Sequence, residues 1–455
     1  MRKAIVHPSR RAAAAALAVV AVLRAGTSWA APANYPHLSW QDEFDGNAVE
    51  TARWAFDFGT GSQFGLTGWG NNELQYYTDR THNAAVSGGM LQITARSESF
   101  GGQSYTSARL KTLGKFSQAG GRFVMRAALP TGQGLWPAFW MMPASDAYGG
   151  WAASGEIDIM EAKGQQPDRV AGTIHYGGSW PNNTQSSGTR ILPAGQTIAS
   201  FHTYALEWDT TGSPALRWYV DDVLYASRNS WWSSGGAYPA PFDQPFYLLL
   251  NLAVGGNYVG SPNGSTPFPA TMQVDYVRAY TAAPPAITLT ATSGTLTQAA
   301  VGNPEILAAA SVTKTGAGTI RLTAANAYAG PTHIRAGRLE LDGLGSIAAS
   351  TAVQIDAGAT FDVAASSGGY AVPDAQTIGG SGTVRGSVVF GRGSTLSPGA
   401  FDTATPLGGA ALEPAMTVSI ASVPEPTAVA VALVGLACLA SRLRGPGWRR
   451  AVGRM

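Results

Sequence analysis

A chain of 455 residues is long enough for two or three separate cores. Only 13% of it is charged and the formal net charge is +2, so no charged surface recommends nucleic acid or an anionic membrane as a partner. With 56 glycines and a single cysteine, Cys438, the composition suits a turn-rich all-β chain and excludes an intrachain disulfide.

Residues 1–30 read as an export signal. Arg2, Lys3, Arg10 and Arg11 flank an apolar run at 12–23, and Ser28-Trp29-Ala30 is a small-x-small cleavage site before Ala31. A strand-rich domain is expected over 34–281. Its first core candidates are Trp40, Phe44 and Trp54. Residues 59–70 form a glycine-rich loop that ends in Asn71-Asn72-Glu73, polar groups suited to hydrogen-bonding hydroxyls. Alternating patterns predict strands at 90–95 and 121–127. Trp136 and Trp140 are four apart on a further predicted strand and so share a face, where flat rings would match the C–H faces of sugars.

The stretch Gly155-Glu156-Ile157-Asp158-Ile159-Met160-Glu161 carries three carboxylates separated by apolar side chains. Alternation puts Glu156 and Asp158 on the wet face of a strand and Ile157 and Ile159 on the dry face. Strict alternation would send Glu161 to the dry face, so a bulge at or near Met160 is needed to return it to its neighbours. Like charges on one strand face cost stability, and an exposed acidic strand or a cation site are the plain alternatives. A chemical use for them is double displacement at a glycosidic bond. One ionised carboxylate attacks the anomeric carbon, while a protonated one donates to the leaving oxygen and later activates water. Crowding raises one pKa and keeps that group protonated near neutral pH.

Beyond this stretch, His175 lies one hairpin downstream. Strands are predicted at 204–208 and 216–220, with Asp221-Asp222 turning the latter back into 223–225. Trp231-Trp232 sits in a loop, and one of these rings is expected to stack on a sugar. Residues 246–252 are continuously apolar, as in a strand covered on both faces, and 272–280 alternate and close the sandwich.

The carboxylate stretch resembles the signature of glycoside hydrolase family 16 in its bulged, laminarinase-like form. Gly134-Leu135-Trp136-Pro137-Ala138-Phe139-Trp140-Met141 resembles the family's WPAFW strand, and Trp69-Gly70-Asn71-Asn72-Glu73-Leu74-Gln75-Tyr76-Tyr77 its NNELQYY segment. Residues 204–208, 251–256 and 274–278 fit in the same order. The resemblance implies a concanavalin-like β-jelly-roll sandwich and a retaining endo-glycosidase. It makes Glu156 the nucleophile, Glu161 the acid/base and Asp158 the assisting carboxylate, and places Arg109 near substrate. The expected binding set is Trp136, Trp140, Asn71, Asn72, Glu73, Arg109, His175 and Trp232. The expected partner is a β-1,3- or mixed-linkage β-1,3-1,4-glucan. A galactan of agar or carrageenan type, or a non-catalytic carbohydrate-binding surface protein, are the alternatives. The chemistry requires no cofactor. A structural calcium ion is implied by many relatives, with Glu43, the Gly89 backbone and Asp275 at the matching positions.

After a linker at 282–285, the composition shifts to Ala, Gly, Thr and Ser over 286–421. Short alternating strands follow Gly318, Gly337, Gly358 and Gly382, a period of about 20 residues that suggests stacked rungs of a β-solenoid. Residues 314–341 resemble the autotransporter-associated β-strand repeat. The region bears no chemical motif, so a spacer or display role is expected. Residues 423–455 combine Val423-Pro424-Glu425-Pro426, an apolar run at 427–440 and Arg442, Arg444, Arg449 and Arg450. This resembles a PEP-CTERM sorting tail and implies an exosortase-type processing partner and an exported, extracellular or surface-associated protein. The apolar run is shorter than the ~20 residues that span a bilayer, which fits a transient anchor. A monomer is expected.

Overall fold

Period-two alternation along almost every segment produces strands, and the chain is accordingly all-β. The computed structural model describes residues 33–398 apart from 367–368 and 392. The expected export signal, the end of the repeat region and the sorting tail lie outside the described residues. Helix among the described residues is limited to 3-10 turns at Ser62–Phe64, Thr67–Gly70 and Ala299–Val301.

Residues 37–281 build two packed sheets. One has seven strands, ordered Asn183–Ile191, Arg169–Gly177, Glu156–Glu161, Leu135–Pro143, Phe246–Val254, Arg109–Lys111 and Ala55–Phe56. The other has ten, with Gly121–Ala128, Ala270–Thr281 and His202–Asp209 at its centre. Alternate residues from both sheets meet in one apolar core. Ile157, Ile159, Phe139, Met141, Leu248, Leu250 and Leu252 of the first face Phe123, Met125, Leu206, Trp208, Trp218 and Val274 of the second. Phe246–Val254 is buried along nearly its whole length, as a strand covered on both faces should be. The hairpin between Ala215–Val220 and Val223–Arg228 turns on Asp221 and Asp222, both at positive φ, which is what a two-residue turn requires.

From 286 the architecture changes to parallel pairing. Ala286–Thr290, Ser311–Thr315, Thr332–Ile334, Ala352–Ile355, Thr377–Gly380 and Thr395–Pro398 form one ladder. Thr295–Thr297, Thr319–Leu322, Arg338–Leu341, Thr360–Asp362 and Thr383–Arg385 form a second. This is a β-solenoid of about five turns. Three of the glycine-led repeats read from the sequence stack rung on rung, with Ile320, Leu339 and Phe361 in register and buried. The glycine that opens one of these repeats has a steric reason. Gly337 sits at φ 66, and a Cβ there would lie 2.3 Å from the Gly318 carbonyl oxygen. The first ladder, interleaved between the repeats, was not read from the sequence, because its strands carry no shared punctuation.

Candidate active site

The site is built on the outward face of the seven-stranded sheet, and register decides which side chains reach it. Glu156 pairs with His175 and Asp158 with Thr173 on one side, and Asp158 pairs with Trp140 on the other. The register then breaks on both sides between Asp158 and Glu161, and Glu161 re-enters opposite Ala171 and Ala138. This is the bulge that the spacing demanded. Ile159 and Met160, consecutive in sequence, both enter the core. Glu156, Asp158 and Glu161 therefore share one face with Trp136, Trp140 and His175.

Each acid has its own environment. The Trp151 indole N–H donates to Glu156 Oε2 at 2.7 Å. The Trp136 indole N–H donates to Glu161 Oε1 at 2.9 Å. His175 Nε2 lies 3.3 Å from Asp158 Oδ2 and 3.7 Å from Glu156 Oε1. One ligating atom from each of Glu156, Asp158 and His175 falls within 4.8 Å of the others.

Electrostatics separate the acids further. Burial pushes the Glu156 carboxyl up to about 7, helped by the Asp158 charge and opposed by His175 and the Trp151 bond. Burial and Asp158 raise Glu161 well above the usual carboxylate range, with His175 and the Trp136 bond opposing. Burial alone would lower His175. Its contact with Asp158 and the three carboxylate charges outweigh that, and its pKa rises to about 9. A protonated imidazole thus sits among the acids and offsets part of their mutual repulsion.

The expected binding residues meet different fates. Arg109 pairs with Asp57 at 3.1 Å, and its guanidinium lies between the Trp69 and Trp140 rings, 4.6 Å from each. Trp140 is therefore not an open stacking platform. Arg109 covers its ring, and its N–H donates to Asn251 Oδ1 at 2.7 Å. Trp136 likewise uses its edge on Glu161 and packs on Tyr258 at 4.9 Å. Glu73 accepts from Gln75 at 2.7 Å and Tyr77 at 3.2 Å, and burial raises its pKa. Asn72 is exposed and donates to Asn257 at 3.0 Å, while the Asn71 carbonyl accepts from the Asn257 N–H at 2.8 Å. The two adjacent loop tryptophans differ. Trp231 is buried and donates to the Pro239 carbonyl at 2.8 Å, whereas Trp232 is half exposed beside Gly177 at the end of the His175 strand.

Sequence reasoning missed Trp151 as a partner of Glu156. It lies in a loop without periodicity, so only the fold shows that it bends back five residues to the acid. Trp180, 72% exposed and 6.3 Å from Trp151, extends the same aromatic wall.

The positions matched to calcium do gather. Along one edge of Ala270–Thr281, Met90–Phe100 pairs as far as Val274 and His37–Asp42 from Val277 onward. Glu43 and Gly89 thus flank Asp275 at the gap. Both carboxylates are already committed, however. Arg278 grips Glu43 at 2.6 and 2.7 Å, and Arg126 holds Asp275 at 2.6 Å. As they stand they do not form an oxygen cage, and no step is routed through a cation there.

Residues 70–278 match the glycosyl hydrolases family 16. The chain is 45% identical over 266 residues to the beta-glucanase of Rhodothermus marinus, covering 54% of this chain and 86% of that protein. The chain belongs to glycosyl hydrolase family 16. Two further relatives of this glycoside hydrolase are a glucan endo-1,3-beta-glucosidase of Cryptopygus antarcticus and glucan endo-1,3-beta-glucosidase A1 of Niallia circulans. The first is 42% identical over 261 residues, covering 54% of this chain and 92% of that protein. The second is 46% identical over 260 residues, again 54% of this chain but only 38% of that protein's length. Within the solenoid, residues 312–341 match the passenger-associated-transport-repeat.

Proposed function

We propose that this family 16 hydrolase cleaves internal β-1,3 linkages of a β-glucan with retention of configuration, and that the solenoid spaces the catalytic domain from its attachment point. The observation that carries the reading is the pair Glu156 and Glu161 on one bulged strand, both raised by burial and both beside Asp158. The family relatives named for β-1,3-glucan support the substrate class.

In the first step Glu156, ionised, adds through a carboxylate oxygen to the anomeric carbon as the C1–O bond breaks. Glu161 gives its proton to the departing glycosyl oxygen. Trp151 holds one Glu156 oxygen, which leaves the other to attack. In the second step Glu161, now ionised, takes a proton from water, and the hydroxyl oxygen displaces Glu156 from C1. Asp158 and His175 hold the charge around Glu156 as it alternates between anion and ester.

The test is reducing-sugar release from β-1,3-glucan, mixed-linkage β-glucan, cellulose, agarose and carrageenan, with Glu156→Gln beside the wild type. Cleavage of β-1,3-glucan is expected, with a loss on the order of 10⁴-fold in the variant while glucan binding persists. Cleavage of a galactan alone would overturn the substrate. Wild-type turnover in Glu156→Gln would remove Glu156 from the mechanism.

A further inference from the structure

The acid/base role of Glu161 depends on the bulge, and the bulge is gripped from the opposite sheet. Trp218 belongs to Ala215–Val220 of the ten-stranded sheet and is 1% exposed. Its indole N–H crosses the core to donate to the backbone carbonyl of Asp158 at 2.9 Å. That carbonyl stands where the register breaks toward both neighbouring strands. A backbone acceptor at a break in a ladder needs a donor from elsewhere, and the indole supplies one.

The indole fits because of the residue facing the bulge. Thr173 opposes Asp158 and Ala171 opposes Glu161, so Ile159 and Met160 together oppose the single Gly172. A Cβ on Gly172 would lie 2.3 Å from Trp218 Cδ1 and 2.6 Å from its Nε1. The next strand repeats the arrangement: Gly188 pairs with Gly172, and a Cβ there would lie 2.4 Å from the Ala226 Cβ, Ala226 being the cross-strand partner of Trp218. The second sheet therefore presses a ridge into a glycine groove directly behind the catalytic strand.

We infer that Trp218 is a positioning residue for the acid/base. It pins the extra residue of the bulge and so keeps Glu161 on the site face. Without this bond the strand can relax toward regular alternation, which turns Glu161 toward the core side. The inference rests on the reading of Glu161 as acid/base.

The test uses the full chain carrying Trp218→Phe, and in parallel site-specific replacement of the Trp218 indole by benzothiophene, which keeps the shape and deletes the N–H. Thermal melts select the folded variant. Two substrates are compared: soluble β-1,3-glucan, whose leaving group needs a proton, and a dinitrophenyl β-glucoside of the same chain type, whose leaving group does not. On glucan, kcat/KM, which reports the first step, should fall by about 100-fold, the scale expected of a catalytic group displaced by about 1 Å. The loss in kcat/KM on the dinitrophenyl substrate should be at least tenfold smaller, and the alkaline limb of the glucan pH profile should move as Glu161 leaves the charges and the Trp136 bond that set its pKa. A folded variant with wild-type kcat/KM and an unmoved limb overturns the inference, as does an equal loss on both substrates. Glu161→Gln is run alongside. If it shows no difference between the two substrates, the acid/base reading itself falls, and the inference with it.

Discussion

On the proposed mechanism Glu156 is ionised and Glu161 protonated in the same molecule, and burial and neighbouring side chains set both pKa values. Burial raises both, with the Asp158 charge adding to it. The sign of the pH dependence follows. Below about 7 Glu156 holds a proton and cannot attack, and above its own raised pKa Glu161 loses the proton it must donate. The profile of kcat/KM against pH on soluble β-glucan should therefore rise through about 7 and fall again as Glu161 gives up its proton. His175 lowers both acids and is itself raised to about 9, so it is cationic near neutral pH. Its replacement in His175→Gln removes that charge, and the acid limb should shift to higher pH. An unmoved limb would separate His175 from Glu156.

At the scale of the element, two features depart from plain alternation, and each has a reason. The bulge could be read from sequence, because three acids on one strand only make chemical sense on one face. Its fastening could not, because Trp218 and Gly172 are far apart in sequence and neither departs from its local pattern. In the solenoid, Lys314 stands in an otherwise apolar ladder between Leu289 and Ile334. Its ammonium is buried and donates to the carbonyls of Thr315 and Gly316 at 2.7 Å and of Ala336 at 3.0 Å, tying two rungs together. Lys314→Met fills the space but strips the Gly316 and Ala336 carbonyls of this donor and leaves Thr315 with the Ala291 N–H, at a cost of about 1–3 kcal/mol for a buried group left unsatisfied. Calorimetry should show a lower unfolding temperature for the solenoid, while glucan hydrolysis at 25 °C stays unchanged. An unaltered melt would mean that water takes over the carbonyls.

On the scale of the whole molecule, every strand of both sandwich sheets pairs within residues 37–281, so the catalytic domain is structurally complete before the solenoid begins. The solenoid meets it at an ion pair between Arg53 and Glu305 at 3.1 Å and along a cleft lined by Trp40 and Phe116 on one side and Ile287 and Ile306 on the other. A partly exposed pair of this kind contributes roughly 0–1 kcal/mol. Deletion of residues 286–455 should therefore leave kcat/KM on soluble glucan within about twofold, with a melting temperature lower by at most a few degrees, since about 1 kcal/mol moves it by roughly 2–4 °C at this size. A large loss of activity in a folded truncation would refute the spacer reading.

Alternation, punctuation and the carboxylate spacing were enough to establish an all-β chain, stacked glycine-led rungs in its second part, and Glu156, Asp158 and Glu161 as one group, while the sandwich followed from the family resemblance. These are local properties, set by residues a few positions apart along one strand. The tertiary structure alone decided the rest. It turned Trp136 and Trp140 edge-on to Glu161 and Asn251, covered Trp140 with Arg109, and buried Trp231 while leaving Trp232 exposed. It also brought Trp151 to Glu156 and Trp218 to the bulge. In each case a polar N–H or a charge found its partner across a loop or across the core. Such pairings depend on which strands become neighbours, and that is settled by the packing of the two sheets and leaves no period in the sequence.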